Sequence, residues 1–239
     1  MAKDDSFDNF LKENSDIDLS VKTVTSDRVY SILSQAIFQG ELKPGQRLVE
    51  SKLAKLMKVS RTPIREAIIE LEQKGLVVSS PPKGVRVAPL PTKEALNEFY
   101  DISSVLRGLA IRKAIENNNI TENKIKQLNE IIIQSENFLK EGSLRDIANL
   151  NVKFHNIIEE CSKSNELINM IDSLYKKSRE RFSEILSEKD RQKESIEEHK
   201  VIVKAIIDKD AILAEKLIRE HIVNGKESLI KEIELRRSC

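Results

Sequence analysis

Residues 50–78 read ESKLAKLMKVSRTPIREAIIELEQKGLVV, and their pattern decides how the first third of the chain folds. They predict a short helix, a tight turn, a longer helix and the first strand of a hairpin. In the longer helix Ile64, Ile68 and Leu71 recur at helical spacing, with Ala67 on the same side, so one face is built to be buried. Arg61 and Arg65 stand four residues apart on another face, where both guanidinium groups can address one target. Ser60 is placed to cap this helix through its hydroxyl. Pro63 falls in the first turn, where its missing N–H costs little. Two arginines at the start of a capped helix suit a helix that enters a DNA groove N-terminus first. The plainer reading of the pair is a solvated face balanced by Glu66 and Glu70.

The flanking sequence extends the pattern. Val29, Ile32, Leu33, Ala36 and Ile37 form an amphipathic stripe over 25–39, and Gly40 supplies the stop. Leu42-Lys43-Pro44-Gly45 reads as a turn and Arg47-Leu48-Val49 as a short strand. Downstream, Leu76-Val77-Val78 and Val85-Arg86-Val87-Ala88 flank a Ser/Pro/Gly turn and predict a hairpin, with Pro81 and Pro82 confined to its tip. Lys83 and Gly84 bring charge and a close backbone approach to that tip, both useful against a phosphate or the minor groove. Three helices followed by a hairpin predict a winged helix-turn-helix domain over residues 23–90. Residues 1–22 are acidic and polar, with Phe7, Phe10 and Leu11 scattered among them, and are compatible with a loose tail or a short docking helix.

Charge is distributed to match. The chain of 239 residues has a net charge of only +1, yet residues 20–90 hold twelve Lys/Arg against six Asp/Glu, a net of +6. Residues 1–19 hold two basic against six acidic residues, and 91–239 hold 26 against 27. The basic excess lies where a phosphate-binding surface requires it. Aromatics are 4% of residues and Trp is absent, which leaves few platforms for stacking unpaired bases and argues against single-strand binding. The two cysteines, Cys161 and Cys239, offer neither a disulfide framework nor a zinc knuckle and fit a reducing cytosol. No apolar run has the length of a membrane span, and the acidic start lacks the order of a signal peptide. A soluble, cytoplasmic protein without a membrane partner is expected.

Beyond a Pro89-Leu90-Pro91 linker, with Thr92 as a helix N-cap, no strand is predicted. Six helices are expected over 92–117, 121–140, 143–161, 165–187, 191–208 and 210–233, forming an antiparallel bundle across residues 91–239. Ser143 with Asp146 reads as a capping box. The fold class is therefore mainly α: a winged helix-turn-helix domain followed by an all-α six-helix bundle. All three histidines, His155, His199 and His221, fall in the bundle, each on an apolar stripe. Taken singly, each reads as a core histidine with its own buried partner. Taken together, three inward imidazoles converge on one divalent metal, with Asn151, one turn before His155, adding a carbonyl oxygen. Such a donor set suits Zn, Ni, Mn or Fe with coordination positions left open.

These residues resemble the GntR family of bacterial transcription regulators, specifically its FCD subfamily, over about residues 23–235. The similarity is densest in Pro44-Gly45-Gln46-Arg47-Leu48-Val49-Glu50, in Leu53-Ala54, and in Val59-Ser60-Arg61-Thr62-Pro63-Ile64-Arg65-Glu66-Ala67. Gly84-Val85-Arg86-Val87, Phe154-His155, Glu198-His199 and Ala214 through His221-Ile222 continue it. The resemblance implies a homodimer that places one recognition helix per subunit in the major groove of a palindromic operator in double-stranded DNA. It implies base and phosphate contacts by Arg61, Thr62 and Arg65, and a wing tip with Lys83 and Gly84 near the minor groove. It also implies a divalent metal on Asn151, His155, His199 and His221 beside a small organic-acid effector. Six bundle helices resemble the VanR-like branch.

The chain departs from that pattern at Asn151, where metal-binding members usually carry Asp, and at Ser103 and Arg107, where many relatives carry Arg and Glu. Ser51 replaces an arginine of some members. If the family's arginine meets the effector carboxylate, Arg107 would substitute from a shifted position; Arg179 and Arg181 are further candidates, and the plainer reading of all three is exposed helix arginines. The expected protein is a non-enzymatic, ligand-responsive regulator, a repressor by type. Two other classes compete with this one. A metallohydrolase on the bundle lacks a general base beside the metal and leaves the DNA-binding domain unexplained. A non-specific architectural DNA binder would show equal affinity for all duplexes.

Overall fold

The computed structural model describes residues 26–38, 40–80, 84–175 and 189–238, together with Phe7 and Phe10. The chain folds as two compact units, with Leu90 in the first and Pro91 in the second. The first unit contains α1 (Ser26–Phe38), β1 (Arg47–Leu48), α2 (Glu50–Leu56), α3 (Arg61–Gln73), β2 (Val77–Ser80) and β3 (Gly84–Val87). Its core takes Val29, Leu33 and Ala36 from α1, and Ile64, Ala67, Ile68 and Leu71 from α3, the residues that the helical period selects. Phe7 and Phe10 of the acidic segment are buried in the same core, their rings stacked with centroids 6.1 Å apart. Leu42 and Met57 close it from the connecting turns.

The sheet is three-stranded and antiparallel in the order β1-β3-β2, with Arg47 opposite Arg86 and Val78 also opposite Arg86. β2 runs on to Ser80 and β3 begins at Gly84, so the hairpin is longer than the apolar runs alone indicate. Val49, expected in the short strand, instead precedes α2 as its N-cap. The turn between α2 and α3 is built without glycine. Lys58 holds a left-handed φ of +53°, and the Val59 and Lys58 amides donate back to the carbonyls of Ala54 and Lys55. This is a Schellman closure with lysine in the position that glycine usually fills, at a strain of about 1 kcal/mol.

The second unit contains α4 (Lys93–Glu116), α5 (Glu122–Glu141), α6 (Leu144–Cys161), α7 (Asn165–Tyr175), α8 (Lys189–Ile207) and α9 (Ala211–Ser238). Thr92 caps α4, its hydroxyl accepting from the Ala95 amide at 3.2 Å. Ser143 does not cap α6 in this way: its hydroxyl donates to the Asp146 carboxylate, so the expected reciprocal box is replaced by a side-chain pair. The rest of the helix expected over 165–187 lies outside the described residues beyond Tyr175. α4 and α9 pack along each other most extensively. Gly108 lets them do so: a Cβ there would sit 2.5 Å from Arg219 Nε and 2.9 Å from its Cγ. Phe154, Leu128, Ile111, Ile202 and Ile218 fill the centre of the bundle. No helix among the described residues is long and apolar enough to cross a membrane.

Candidate functional site

In the first unit, the packing of one α3 face against α1 leaves the opposite face outward at the helix start. Arg61, Thr62 and Arg65 are all exposed there. Ser60 has the extended backbone of an N-cap, yet its hydroxyl makes no capping hydrogen bond. The expected balance of the arginines by Glu66 and Glu70 is also different: Glu70 pairs with Lys74, while Arg65 reaches Glu50 on α2 at 3.5 Å. With the Arg65 side chain 71% exposed, that pair is worth at most about 1 kcal/mol and yields readily to a phosphate or base. Lys58, exposed in the turn before α3, adds a cation that the sequence pattern did not single out. In the hairpin, Gly84 has φ +79°, which a side chain would strain, and Arg47 lies against it. Arg86 donates to the Gly45 carbonyl at 2.9 Å. Pro81, Pro82 and Lys83 lie outside the described residues.

In the second unit, His155 of α6, His199 of α8 and His221 of α9 come together in the core, with ligating nitrogens all within 4.8 Å of one another. They are 2%, 3% and 5% exposed. His155 Nε2 lies 3.1 Å from His221 Nε2, and the His199 ring stacks on Phe154 at 3.8 Å between centroids. The second ring nitrogen of His221 is fixed: Nδ1 donates to Glu198 Oε2 at 2.6 Å, which turns Nε2 and its lone pair inward. Burial, and next the charge of His221, depress the His199 pKa well below its usual value. Burial also lowers His221, outweighing the Glu198 hydrogen bond. These two imidazoles are neutral at neutral pH, as ligation requires.

Glu198 is the organising residue that sequence reading did not assign a role. Its carboxylate accepts from His221, from Arg191 Nη2 at 2.6 Å and Nη1 at 3.1 Å, and from Asn224 Nδ2 at 2.7 Å. Burial pushes its pKa up, but the hydrogen bonds from His221 and Arg191 win and bring it to about 2. Arg191, buried on α8 two turns before Glu198, also donates to the His221 carbonyl. A signal existed in that seven-residue spacing of opposite charges, but it does not name the histidine on α9 that the pair serves. An open groove of about 800 Å³ runs along the outer side of Glu198 and Asn224, lined also by Asp190, Glu194, Glu227 and Lys231. No histidine lines it.

Two polar atoms on the helices that carry the histidines are buried and unmatched, and Asn151 stands one turn before His155 on α6. The Asn151 Oδ1 on α6 and the His199 Nε2 have no hydrogen-bond partner. Buried polar atoms are rarely left so, and a single cation would answer both. The donor set, three imidazole nitrogens and an amide oxygen, fits a divalent transition metal. Arg107, the sequence candidate for effector contact, points inward from α4. Its Nε is 2.9 Å from Glu159 Oε1, and its guanidinium lies 4.2 Å above the Tyr175 ring. Ser103 is buried too, its hydroxyl bonded to that of Tyr175. Arg107 is near enough for its charge to depress both His199 and His221. Arg179 and Arg181 lie outside the described residues.

A winged helix-turn-helix unit followed in one chain by an all-helical unit with a buried histidine cluster defines the class. Family models make it specific. The gntR family of bacterial regulatory proteins matches residues 25–87, and the FCD domain matches residues 98–224, more than half of the chain. The chain belongs to the GntR family of bacterial regulators and carries an FCD domain. It is 33% identical over 144 residues to the uncharacterized HTH-type transcriptional regulator YdhC of Bacillus subtilis, a match spanning 60% of this chain and 63% of YdhC. It is 30% identical over 148 residues to the HTH-type transcriptional regulator McbR of Escherichia coli, spanning 62% of this chain and 66% of McbR. Each match thus covers just under two thirds of the relative. The HTH-type transcriptional repressor RspR of E. coli is 24% identical across 85% of this chain and 88% of its own. Among solved structures, E. coli McbR/YncC superposes with a TM-score of 0.64 at 25% identity, over 87% of this chain and 98% of that one. A transcriptional regulator from Rhodococcus sp. RHA1, at 20% identity and a TM-score of 0.61, shares the fold over 86% of this chain and 97% of its own.

Proposed function

We propose that this protein is a DNA-binding transcription regulator, acting as a homodimer on a palindromic operator and controlled by a small organic acid bound in its helical unit. The observation that carries the reading is the outward start of α3, where Arg61, Thr62 and Arg65 stand exposed on a helix whose other face is buried. That geometry suits insertion into the major groove, with Arg65 leaving Glu50 for a base or phosphate. Lys58 adds a phosphate contact from the turn, and Lys83 with Gly84 approaches the minor groove from the wing. A two-fold dimer would read two half-sites about one helical turn apart. Repression is the direction supported by relatives such as RspR. Work on DNA in a bacterial cell puts the protein in the cytoplasm.

In the bundle, His155, His199, His221 and Asn151 would hold a divalent metal, Zn, Ni, Mn or Fe, which supplies a Lewis-acidic anchor for an anionic effector. Glu198 orients His221 for this role, and Arg191 holds Glu198 in place. Effector binding then changes how well the two winged units of the dimer fit their half-sites. Nothing in the site favours hydrolysis, because both carboxylates near the histidines are committed to arginines. A gel shift on the protein's own upstream DNA, with and without a panel of organic acids, tests the reading. A specific complex whose affinity changes with one acid supports it. Equal binding to random duplex, insensitive to every acid, would leave an architectural DNA binder instead.

A further inference from the structure

The winged unit carries a second pair of arginines, Arg47 of β1 and Arg86 of β3. They stand directly opposite each other in the sheet. Their sequence neighbours Leu48 and Val87 are buried, so alternation puts both arginines on the face turned away from the core. Like charges placed opposite one another weaken a sheet. Neither arginine has a carboxylate partner among the described residues. The two side chains part along β3. Arg86 turns to the Gly45 carbonyl and donates to it at 2.9 Å. Arg47, which is exposed, runs the other way and crosses diagonally to Gly84, where its Nε and Nη2 lie 3.5 Å from the place a Cβ would take. Gly84 opens β3 directly after the hairpin tip, so the edge strand β1 delivers a guanidinium to the wing. A cation held beside another cation, without a counter-charge, is placed for an anion that arrives from outside.

We propose that Arg47 grips a phosphate of the DNA backbone beside the wing, with Arg86 as the positioning residue that turns it there. The inference rests on the DNA-reading function proposed above and adds a contact from β1, outside both the recognition helix and the hairpin tip. A guanidinium offers a fork of N–H donors that matches two phosphate oxygens at once. Phosphate contacts fix register on the duplex and carry no sequence information. Arg47 therefore adds affinity and register without adding preference.

The test measures affinity of the full-length protein by fluorescence anisotropy, on its own upstream duplex and on a random duplex, across a range of salt concentrations. Arg47→Gln removes the charge from an exposed position, and Arg47→Lys keeps it. Lys43→Gln removes an equal charge from an exposed position in the turn before β1, as a control for overall charge. Arg47→Gln is expected to weaken both duplexes alike, by about 5-fold per subunit at about 0.15 M salt, and to make the slope of log affinity against log salt shallower by about 0.9 per subunit bound. Arg47→Lys and Lys43→Gln are expected to keep the wild-type slope. Four results would each overturn the contact while leaving DNA reading by α3 standing. The first is a wild-type slope in Arg47→Gln, which with a lower urea midpoint makes the residue a brace of the sheet. The second is an Arg47→Lys slope as shallow as that of Arg47→Gln. The third is an equal fall in Lys43→Gln, and the fourth is loss of preference for the upstream duplex in Arg47→Gln, the mark of a base contact. Wild type that binds neither duplex would remove the proposed function, and this contact with it.

Discussion

Replacing Glu198 with Gln tests the architecture of the histidine cluster through one atom pair. The shape is kept and the charge removed, so the four donors from His221, Arg191 and Asn224 face a neutral amide whose NH₂ end repels them. Arg191, at 5% exposure, loses its principal counter-charge and, among the described residues, retains Glu194 at 3.5 Å, on a largely exposed side chain. The carboxyl's fall from 4.5 to about 2 corresponds to roughly 3 kcal/mol, and its partial exposure screens this to about 2 kcal/mol. For a protein of this size that is a drop in Tm of about 4–8 °C. Differential scanning calorimetry of the metal-free protein measures it. Glu198→Gln is also expected to weaken Zn²⁺ binding by about 10- to 100-fold, because His221 loses the group that orients it. Glu198→Asp, which keeps the charge on a shorter stem, should fall between. A Tm within about 1 °C of wild type, with Zn²⁺ affinity unchanged, would refute the assignment of Glu198 as the residue that sets His221.

Lys58→Gly should have opposite effects on stability and on binding. Relief of the left-handed lysine is expected to raise stability by about 1 kcal/mol in urea unfolding, while the slope of log affinity against log salt falls by about one phosphate contact. Acid should unfold the metal-free protein from near neutrality downward. His199 and His221 titrate near 6.5 in the unfolded chain but are depressed in the fold, so below 6.5 the unfolded chain takes up protons that the folded chain refuses, and stability is lost as pH falls. Glu198 adds a further loss between 4.5 and about 2, where its folded carboxylate resists protonation. Urea midpoints compared between about pH 7.5 and about pH 5.5 check the histidine window; a flat profile would mean that these rings are not held neutral. Gly108→Ala should cost about 1–3 kcal/mol by overpacking, because the new methyl displaces Arg219 where α4 and α9 cross. Arg219→Ala in the same background should recover part of that loss.

The fold was legible where a residue's burial follows from period alone. Val29, Leu33 and Ala36 of α1 and Ile64, Ala67, Ile68 and Leu71 of α3 lie in the core because helical geometry puts them on one face. Thr92 was readable as a cap for the same local reason. Ser60 was not, because whether its hydroxyl turns back to the helix is a rotamer choice that the pattern does not carry. Histidine positions on apolar stripes pointed to a cluster, and His155, His199 and His221 do converge. Glu198 was hidden by distance in sequence: it serves a histidine 23 residues away on the next helix. The pairing of Arg107 with Glu159 spans α4 and α6 and has no local signature either. Tertiary partners of buried charges are the part of the site that one dimension does not encode.

In the proposed function α3 is the element that reads DNA. Fluorescence anisotropy on the protein's own upstream duplex and on a random duplex, for wild type and Arg65→Ala across a range of salt concentrations, addresses it most directly. Wild type is expected to prefer the upstream duplex clearly, and Arg65→Ala, with the dimer intact by sedimentation, to lose that preference and show a shallower salt dependence. Arg65→Ala indistinguishable from wild type in affinity, preference and salt slope would contradict it.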